Sequence, residues 1–144
     1  MTRNKAVSYA VMAMVDIAER GASDPSTEVQ AADLATRLQL PTAYTAKVLS
    51  ALARASLLRS NRGPRGGFQL AREPQQITLL DILRAVGAWG EAELALPPNA
   101  SINLRRSVSE ALTRATAQAQ EVFEEVYVSD LVVDSVQTPE LVAV

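Results

Sequence analysis

The stretch from Arg59 to Ala71 reads Arg-Ser-Asn-Arg-Gly-Pro-Arg-Gly-Gly-Phe-Gln-Leu-Ala and decides the fold. Short segments of alternating polarity, residues 57–60 and 68–71, flank a tip that contains three glycines and a proline. Because glycine permits the backbone angles of a tight reversal, this pattern predicts a β-hairpin. Arg62 and Arg65 lie on the tip, with almost nothing apolar beside them.

Two short helices are predicted immediately before the hairpin. Residues 31–38 have one apolar face, and residues 42–56 resume the helical period after Pro41, which suits the start of a helix but not its middle. Two short helices joined by a tight turn form a helix-turn-helix, and a hairpin that directly follows them is a wing. The predicted fold class is therefore mainly α with a small β-hairpin wing (α+β), a winged helix-turn-helix.

Charge is distributed unevenly along this chain, whose net charge is −2. Residues 1–84 carry a net charge of +4 and residues 85–144 a net charge of −6. No acid occurs between Asp33 and Glu73, whereas seven basic residues do: Arg37, Lys47, Arg54, Arg59, Arg62, Arg65 and Arg72. This acid-free stretch indicates a face that binds a polyanion such as DNA. A solvated surface is the alternative that charge alone leaves open.

A long helix is predicted over residues 101–128, and its apolar residues repeat at steps of four and three. They are Val108, Leu112, Ala115, Ala119, Val122 and Val126. This spacing is typical of a coiled-coil seam, and so long a helix in so small a chain has few places to bury it. We therefore expect a homodimer interface. Packing of the helix on its own domain is the alternative.

The remaining segments complete the predicted organisation. Residues 4–20 form an amphipathic helix, and another helix begins after Thr78, an N-cap with Asp81 three residues later, and ends at Gly87. Four units result: a winged helix-turn-helix DNA-binding domain over residues 1–86, a linker or sensor loop over 87–100, a dimerisation helix over 101–128 and a loose C-terminal tail over 129–144.

The composition excludes several kinds of chemistry. The chain has no cysteine and no histidine, which removes thiolate and imidazole metal sites, disulfides, and catalysis by Cys or His. No carboxylate pair is isolated in an apolar context, so an enzyme is the least favoured class. The apolar stretches are too short to span a membrane, and the first residues lack a signal-peptide pattern. We expect a soluble, cytoplasmic protein with no membrane partner.

The order of elements and several local strings resemble the Rrf2 family of bacterial winged-helix transcription regulators. The strings are Tyr9-Ala10, Leu34-Ala35, Leu40-Pro41 and Tyr44, together with the more specific runs at residues 59–71 and 77–86. The resemblance is close over residues 5–86, and the long helix matches in character. It implies a homodimer that binds a palindromic operator, often with an iron–sulfur cluster as the sensor, and we expect a repressor.

The chain departs from the family at the sensor. Members that bind a cluster carry three cysteines between the fourth helix and the dimerisation helix, whereas residues 88–101 contain none. Carboxylates alone lack the soft donors that iron–sulfur chemistry uses. We therefore expect no metal and no cofactor. The signal is then a small-molecule effector, a partner protein, or absent.

We expect the contacts to double-stranded DNA to come from the second helix of the helix-turn-helix, the wing and the N-terminus. The candidates are Thr42, Ala43, Tyr44, Thr45, Lys47, Arg54, Arg59, Arg62, Gly63, Arg65, Gly66, Arg3 and Lys5. Small residues at the start of the helix suit base edges, and Arg59 can form a bidentate fork to guanine. The tip arginines suit a narrow minor groove, and its glycines, Gly67 included, would let the backbone approach the DNA. A solvated surface charge is the alternative for each arginine.

Trp89, the only tryptophan, lies where the family keeps its sensor. It is predicted either to stack on a planar effector or to anchor a core or an interface, and its large apolar area favours the second. The competing functional class is a winged-helix protein-interaction module, or a regulator controlled by a partner protein. The acid-free stretch favours DNA, since a module that binds only protein has no reason to keep it.

Overall fold

The computed structural model describes residues 3–90 and 95–136. The elements in chain order are α1 (Arg3–Ser23), α2 (Ala31–Leu38), α3 (Thr42–Arg54), β1 (Leu58–Asn61), β2 (Gly67–Leu70), a 3₁₀ turn (Pro74–Gln76), α4 (Leu79–Ala85), α5 (Ile102–Glu124) and α6 (Val128–Val136). The fold is mainly α with a two-stranded antiparallel hairpin, which confirms the predicted class. No helix within the described ranges is long and apolar enough to cross a membrane.

A cluster of buried apolar side chains holds α1 against the helix-turn-helix and α4. The contribution of α1 recurs at helical spacing: Ala10, Ala13, Met14, Ile17 and Ala18 are all buried. Leu34 of α2, Leu49 and Leu52 of α3, and Ile82 of α4 close the cluster. Each such leucine or isoleucine contributes about 1.5–3 kcal/mol by leaving water, so this cluster fixes how α3 is presented.

The turn between α2 and α3 is short and tightly bonded. Gln39 adopts a left-handed conformation with φ of 54°, and the Leu40 N–H donates to the carbonyl of Ala35 at 2.8 Å. This arrangement is a common way to end a helix, since it pairs carbonyls that the last turn leaves free. Pro41 follows in an extended conformation as the N-cap of α3.

The hairpin pairs β1 with β2 from Leu58 opposite Leu70 to Asn61 opposite Gly67. The Gly66 N–H donates to the Gly63 carbonyl at 2.9 Å and closes a four-residue turn at the tip. Proline is favoured at the second position of such a turn, where Pro64 lies, and the φ of 114° at Gly63 suits glycine. Arg65 therefore occupies the third position of the turn, at the end of the wing.

The predicted N-terminus of α4 is confirmed in atomic detail. The Thr78 hydroxyl accepts from the Asp81 N–H at 3.1 Å, and the Asp81 carboxylate accepts from the Thr78 N–H at 3.0 Å. This reciprocal pair is a capping box, which satisfies two backbone donors that the helix leaves free.

The predicted C-terminal tail is wrong for residues 129–136, which belong to α6 (Val128–Val136). Val128 is fully buried in the core, and α6 packs against α1. The Tyr127 N–H donates to the Asp130 carboxylate at 2.9 Å, which supports the first turn of α6. Residues 137–144, the rest of the predicted tail, lie outside the described residues.

The long helix also ends earlier than predicted, at Glu124 rather than at residue 128. The chain there forms a short pairing with the segment that precedes α4. Its two bonds run from the Leu79 N–H to the Val126 carbonyl at 2.7 Å and from the Val128 N–H to the Ile77 carbonyl at 2.9 Å. Backbone groups committed to this pairing cannot continue the helical ladder, so α5 stops.

Candidate nucleic-acid interface

One face of α3 is buried and the opposite face is exposed. Thr45, Val48, Leu49 and Leu52 face the core. Ala43, Lys47, Ser50 and Arg54 are exposed, at steps of four, three and four. Thr42, the first residue of the helix, is exposed as well. Four of the predicted DNA contacts thus lie on accessible surface, and Ser50, which the sequence reasoning missed, shares their spacing.

Thr45 was predicted as a DNA contact, and this is wrong. Only 1% of its surface is exposed, and its hydroxyl donates to the Pro41 carbonyl at 3.0 Å. The side chain is therefore committed to the N-terminal turn of α3. Tyr44 is half-buried, and its ring lies edge-on against Tyr9 with the ring centres 5.4 Å apart. Its ring holds α3 on α1, and a contact from its hydroxyl to phosphate stays a prediction.

A loop that is remote in sequence supports the wing. The Phe68 N–H donates to the Val29 carbonyl at 2.8 Å, and the Val29 N–H donates to the Phe68 carbonyl at 2.9 Å. The Asn61 side-chain amide donates to the Glu28 carboxylate, and that of Gln30 donates to the Pro64 carbonyl at 3.4 Å. The residues before α2 therefore hold the hairpin along both its edge and its tip.

The same loop contains a small turn of its own. The hydroxyl and the backbone N–H of Ser26 donate to the Asp24 carboxylate and hold the pKa of that carboxyl below its usual range. Farther from the tip of the hairpin, the side-chain amide of Gln69 donates to the Thr27 carbonyl at 3.4 Å. The loop is thus bonded both within itself and to the wing.

The glycines of the wing have reasons within the protein itself. A Cβ at Gly67 would lie 2.7 Å from the carbonyl oxygen of Val29, and one at Gly66 would overlap the carbonyl of Asn61. Gly67 is buried, so the expectation that its backbone approaches DNA is wrong. Gly63 and Gly66 remain at the accessible tip, and their contact with DNA stays a prediction.

The other predicted contacts are spread around the hairpin and the N-terminus. Arg59 is exposed on β1 and lines a cavity of about 570 Å³ beside the end of α1 and Pro25. Lys5 is exposed in the first turn of α1. Arg3 begins that helix, and its side chain lies outside the described residues. Arg62 is exposed at the wing tip beside Arg65.

Ion pairing divides the cations of the acid-free stretch into two groups. Arg37 pairs with Asp16 at 2.7 Å, and Arg72 lies 3.9 Å from Asp81. The other five form no ion pair with any acid that the structure describes: Lys47, Arg54, Arg59, Arg62 and Arg65. All five lie on α3 or the hairpin, so the unpaired cations of the acid-free stretch are confined to these two elements.

This geometry agrees with the comparison to known families. A model of the Rrf2 family, described as an iron-dependent transcriptional regulator, matches residues 3–134. The chain belongs to the Rrf2 family. The predicted resemblance is thereby confirmed, and the family is one of transcription regulators rather than enzymes.

Individual relatives of this Rrf2 chain are named as transcriptional regulators. An HTH-type regulator of Rhodopseudomonas palustris named BadM is 45% identical over 43% of this chain and 40% of its own length. A regulator of Aquifex aeolicus is 33% identical over 62% of this chain and 60% of its own length. The chain thus spans about half the length of these two curated relatives. An rrf2-like regulator of Rhodobacter capsulatus is 25% identical over 95% of this chain and 89% of its own length.

Solved structures share the Rrf2 fold over most of the chain. IscR of T. potens is 27% identical with a TM-score of 0.66, over 94% of this chain and 90% of that one. CymR of B. subtilis, named a global cysteine regulator, is 22% identical with a TM-score of 0.68, over 90% and 94% of the two chains. The second likeness concerns the fold alone.

The α5 helix, which the structure describes completely, has no buried residue over its 23 positions. Val122 is 58% exposed, Ala115 is also exposed, and three seam residues are half-buried: Val108, Leu112 and Ala119. Val126 lies beyond the end of α5 in the pairing with Leu79, so its predicted place on the helical seam is wrong. The dimer interface itself stays a prediction.

The residues of this Rrf2 chain do not fit an iron–sulfur cluster. Thiolate and imidazole donors are absent from the whole sequence. Within residues 3–90 and 95–136, no three acids are grouped closely enough to hold a metal ion. Oxygen donors alone are also a poor match for a cluster of iron and sulfide. Glu91 and Glu93, in the predicted sensor loop, lie outside the described residues.

Proposed function

We propose that this chain is a transcription regulator that binds double-stranded DNA with α3 and the wing, as a homodimer on a palindromic operator. The observation that carries the proposal is the position of the five unpaired cations of the acid-free stretch, all of which lie on these two elements. Cations without counter-charges on a protein of net charge −2 favour a polyanionic partner. The phosphates of DNA supply that partner.

In this proposal α3 is the recognition helix. Thr42 and Ala43 are exposed at its N-terminal end, where side chains of such helices reach base edges in the major groove. Both are small, which suits contact with a thymine methyl group. Lys47 and Arg54 flank Ser50 on the same exposed face and contact phosphates, with Ser50 available as a further hydrogen-bond donor.

The wing makes the second contact. Its tip turn presents Arg65, and Arg62 lies beside it, in the position to enter a minor groove narrowed by A·T-rich sequence. The bonds from Val29 and Gln30 favour this role, because they restrict the wing before DNA arrives and reduce the entropy lost on binding. Arg59, lower on the hairpin, remains the candidate for a fork to guanine.

The homodimer is proposed to form through the outer side of α5. Leu104, Ala111, Ala115 and Val122 form an exposed apolar stripe on this helix, at steps of seven, four and seven. A 23-residue helix without one buried residue has little to stabilise it in a single copy, and pairing with a second α5 would bury this stripe. Two copies would then place their α3 helices one turn of DNA apart, roughly 34–36 Å, or a multiple of it.

We further propose repression by occupation of the operator, in the cytoplasm where the bacterial chromosome lies, and without an iron–sulfur cluster. The donor set supports the last point, since the chain offers neither Cys nor His. The signal would then be a partner protein or a small molecule, and a cavity of about 840 Å³ beside Trp89 favours the second.

The proposal is tested on DNA fragments that the full chain selects from genomic DNA. Replacement of Arg65 by alanine should weaken binding about tenfold or more at moderate salt, because it removes one of the unpaired cations at the tip. The thermal midpoint should stay nearly unchanged, since Arg65 is exposed and makes no ion pair with a described acid. Gel-shift titration measures the affinity.

Arg114→Ala is the matched control. Arg114 is exposed on α5, away from α3 and the wing, and its loss should leave the affinity unchanged. Equal affinities of the Arg65 variant and the unmodified chain would remove the wing from the mechanism. A chain that selects no DNA at low salt would contradict the whole proposal.

A further inference from the structure

A cavity of about 840 Å³ lies between the end of α4, residues 89–90 and 95–96, and α5. This volume is within the range of small-molecule sites. Trp89, Leu96 and Leu112 supply aromatic and apolar surface, and Arg84 and Arg105 line the same cavity. Apolar walls suit an apolar ligand body, and the two cations suit a negatively charged group on it.

The apolar wall is held in place by an aromatic contact. The indole of Trp89 lies edge-on against the ring of Phe123, with the ring centres 5.5 Å apart and the planes at 89°. Such pairs are worth about 0.5–1.5 kcal/mol beyond the area that they bury. The indole is half-buried, so it is positioned by α5 while part of it remains accessible.

Among the lining residues that the structure describes, two are cationic and none is acidic. Arg84 lies in the last turn of α4, and Arg105 lies near the start of α5. Arg105 donates a hydrogen bond to the Pro97 carbonyl, which anchors its guanidinium at the rim. Neither arginine forms an ion pair with an acid in the described part of the chain, and no described lining residue is acidic.

We propose that this cavity binds a small organic anion, a carboxylate carried on an aromatic or apolar body. A guanidinium offers paired donors that match a carboxylate, and two of them near one cavity favour a charged over a neutral ligand. The indole and the leucine side chains would accommodate the body. No residue of α3 or the wing is among the described residues that line the cavity, so a ligand can bind there whether or not the proposed DNA contacts form.

The cavity and the apolar stripe of α5 adjoin each other, but most of the cavity lining faces away from the stripe. At 100° per residue, Arg105, Ser109 and Thr116 lie roughly 100–140° around the helix from the centre of the stripe. Val108 and Leu112, which also line the cavity, lie closer, roughly 40° and 80° from that centre. A second α5 packed on the stripe would lie beside Val108 and leave open the side that carries Arg105, Ser109 and Thr116. The pattern favours a small ligand, rather than the partner helix, as the occupant of the cavity.

The test uses the single tryptophan as a reporter. In a ¹⁵N–¹H correlation spectrum the full chain gives one indole N–H signal, from Trp89. The probes are phenylacetate and indole-3-acetate, each compared with its neutral amide, in the absence of DNA. We expect the two anions to shift this signal saturably and to bind about tenfold more tightly than their amides, because an amide lacks the charge-assisted hydrogen bonds.

Arg84→Gln and Arg105→Gln identify the charged groups, and Arg114→Gln, an exposed change on α5 outside the cavity, is the control. Loss of about tenfold in anion affinity in either cavity variant, with the control unchanged, supports the site. No shift at anion concentrations up to about 10 mM, equal binding of acid and amide, or unchanged affinity in both cavity variants would overturn it. Because no DNA is present, failure here leaves the proposed DNA contacts untouched, and the gel-shift titration judges those separately.

Discussion

Gly67 shows how one residue of the wing is determined by another that lies far away in the sequence. Val29 approaches the hairpin so closely that a Cβ at position 67 would lie 2.7 Å from its carbonyl oxygen and 2.8 Å from its carbonyl carbon. Backbone atoms cannot move aside as the end of a flexible side chain can. The glycine is therefore a requirement of packing between the loop and the wing, independent of any need to approach DNA.

Gly67→Ala should destabilise the protein by about 1–3 kcal/mol, since the added methyl forces the loop and β2 apart. Urea denaturation followed by circular dichroism measures the change. Gly21→Ala is the control, because nothing lies within 4 Å of a Cβ there and the residue is in α1. Alanine is a better helix former than glycine, so the control should be neutral or more stable. Equal destabilisation of both variants would contradict the steric explanation.

The candidate site was only partly predictable at this scale. Exposure of Lys47, Arg62 and Arg65 follows from local patterns, because charged residues at helical spacing or on a hairpin tip face solvent. Which arginines carry free charge does not follow, since Arg37 pairs with Asp16, which lies 21 positions earlier in the chain. The role of Thr45 does not follow from local patterns either, because the helical period of α3 places it inward while its position near the helix start suggests a base contact.

Among the elements, α4 owes its start to two side chains. The capping box of Thr78 and Asp81 satisfies donors at the N-terminus of a helix only seven residues long. So short a helix gains little from its own hydrogen bonds. Leu80, Ile82 and Leu83 anchor its other side in the core, so the cap and the core together define where the helix begins.

Thr78→Ala should lower the free energy of unfolding by about 1 kcal/mol, the usual cost of losing an N-cap side chain. Thr78→Ser retains the hydroxyl and should restore most of the loss. Thermal unfolding of the three proteins in one buffer provides the comparison. If serine proved as destabilising as alanine, the effect would have to come from the lost methyl group rather than from the cap.

The elements themselves were predictable where local rules act alone. α1 to α4 and the hairpin carry helical periods, caps and turn residues, so the sequence indicates both their type and their approximate bounds. The end of α5 depends instead on pairing between Val126 and Leu79, which are 47 positions apart. The signal for α6 was present in Asp130, three residues after Tyr127, and in the run of valine and leucine that follows.

For the whole molecule, the described monomer presents unpaired cations on α3 and the wing and an uncovered apolar stripe on α5. The two features lie on separate elements, so each can be altered without disturbing the other. This separation allows assembly and DNA binding to be measured independently. It also makes the proposed homodimer directly testable.

Val122→Glu should shift the protein from dimer to monomer, since it places a charge on a stripe that the proposed interface would bury. Analytical ultracentrifugation measures the association. Arg106→Glu also adds negative charge to α5, at an exposed position roughly 160° around the helix, and should leave the dimer intact. A Val122 variant that remains a dimer, or an unmodified chain that is monomeric, would contradict the α5 interface.

The short pairing between the segment before α4 and the segment before α6 has an evolutionary consequence. After α4 the chain leaves the core, runs through the linker and α5, and returns at Val126 beside Leu79. Lengthening the linker between α4 and α5 costs little stability, because each doubling of the length of a flexible loop adds only about 0.6 kcal/mol to the free energy of loop closure. The pairing of Leu79 with Val126 therefore lets the chain between α4 and α6 diverge, for example by gaining or losing a sensor site for a cluster, while the winged helix-turn-helix keeps its shape.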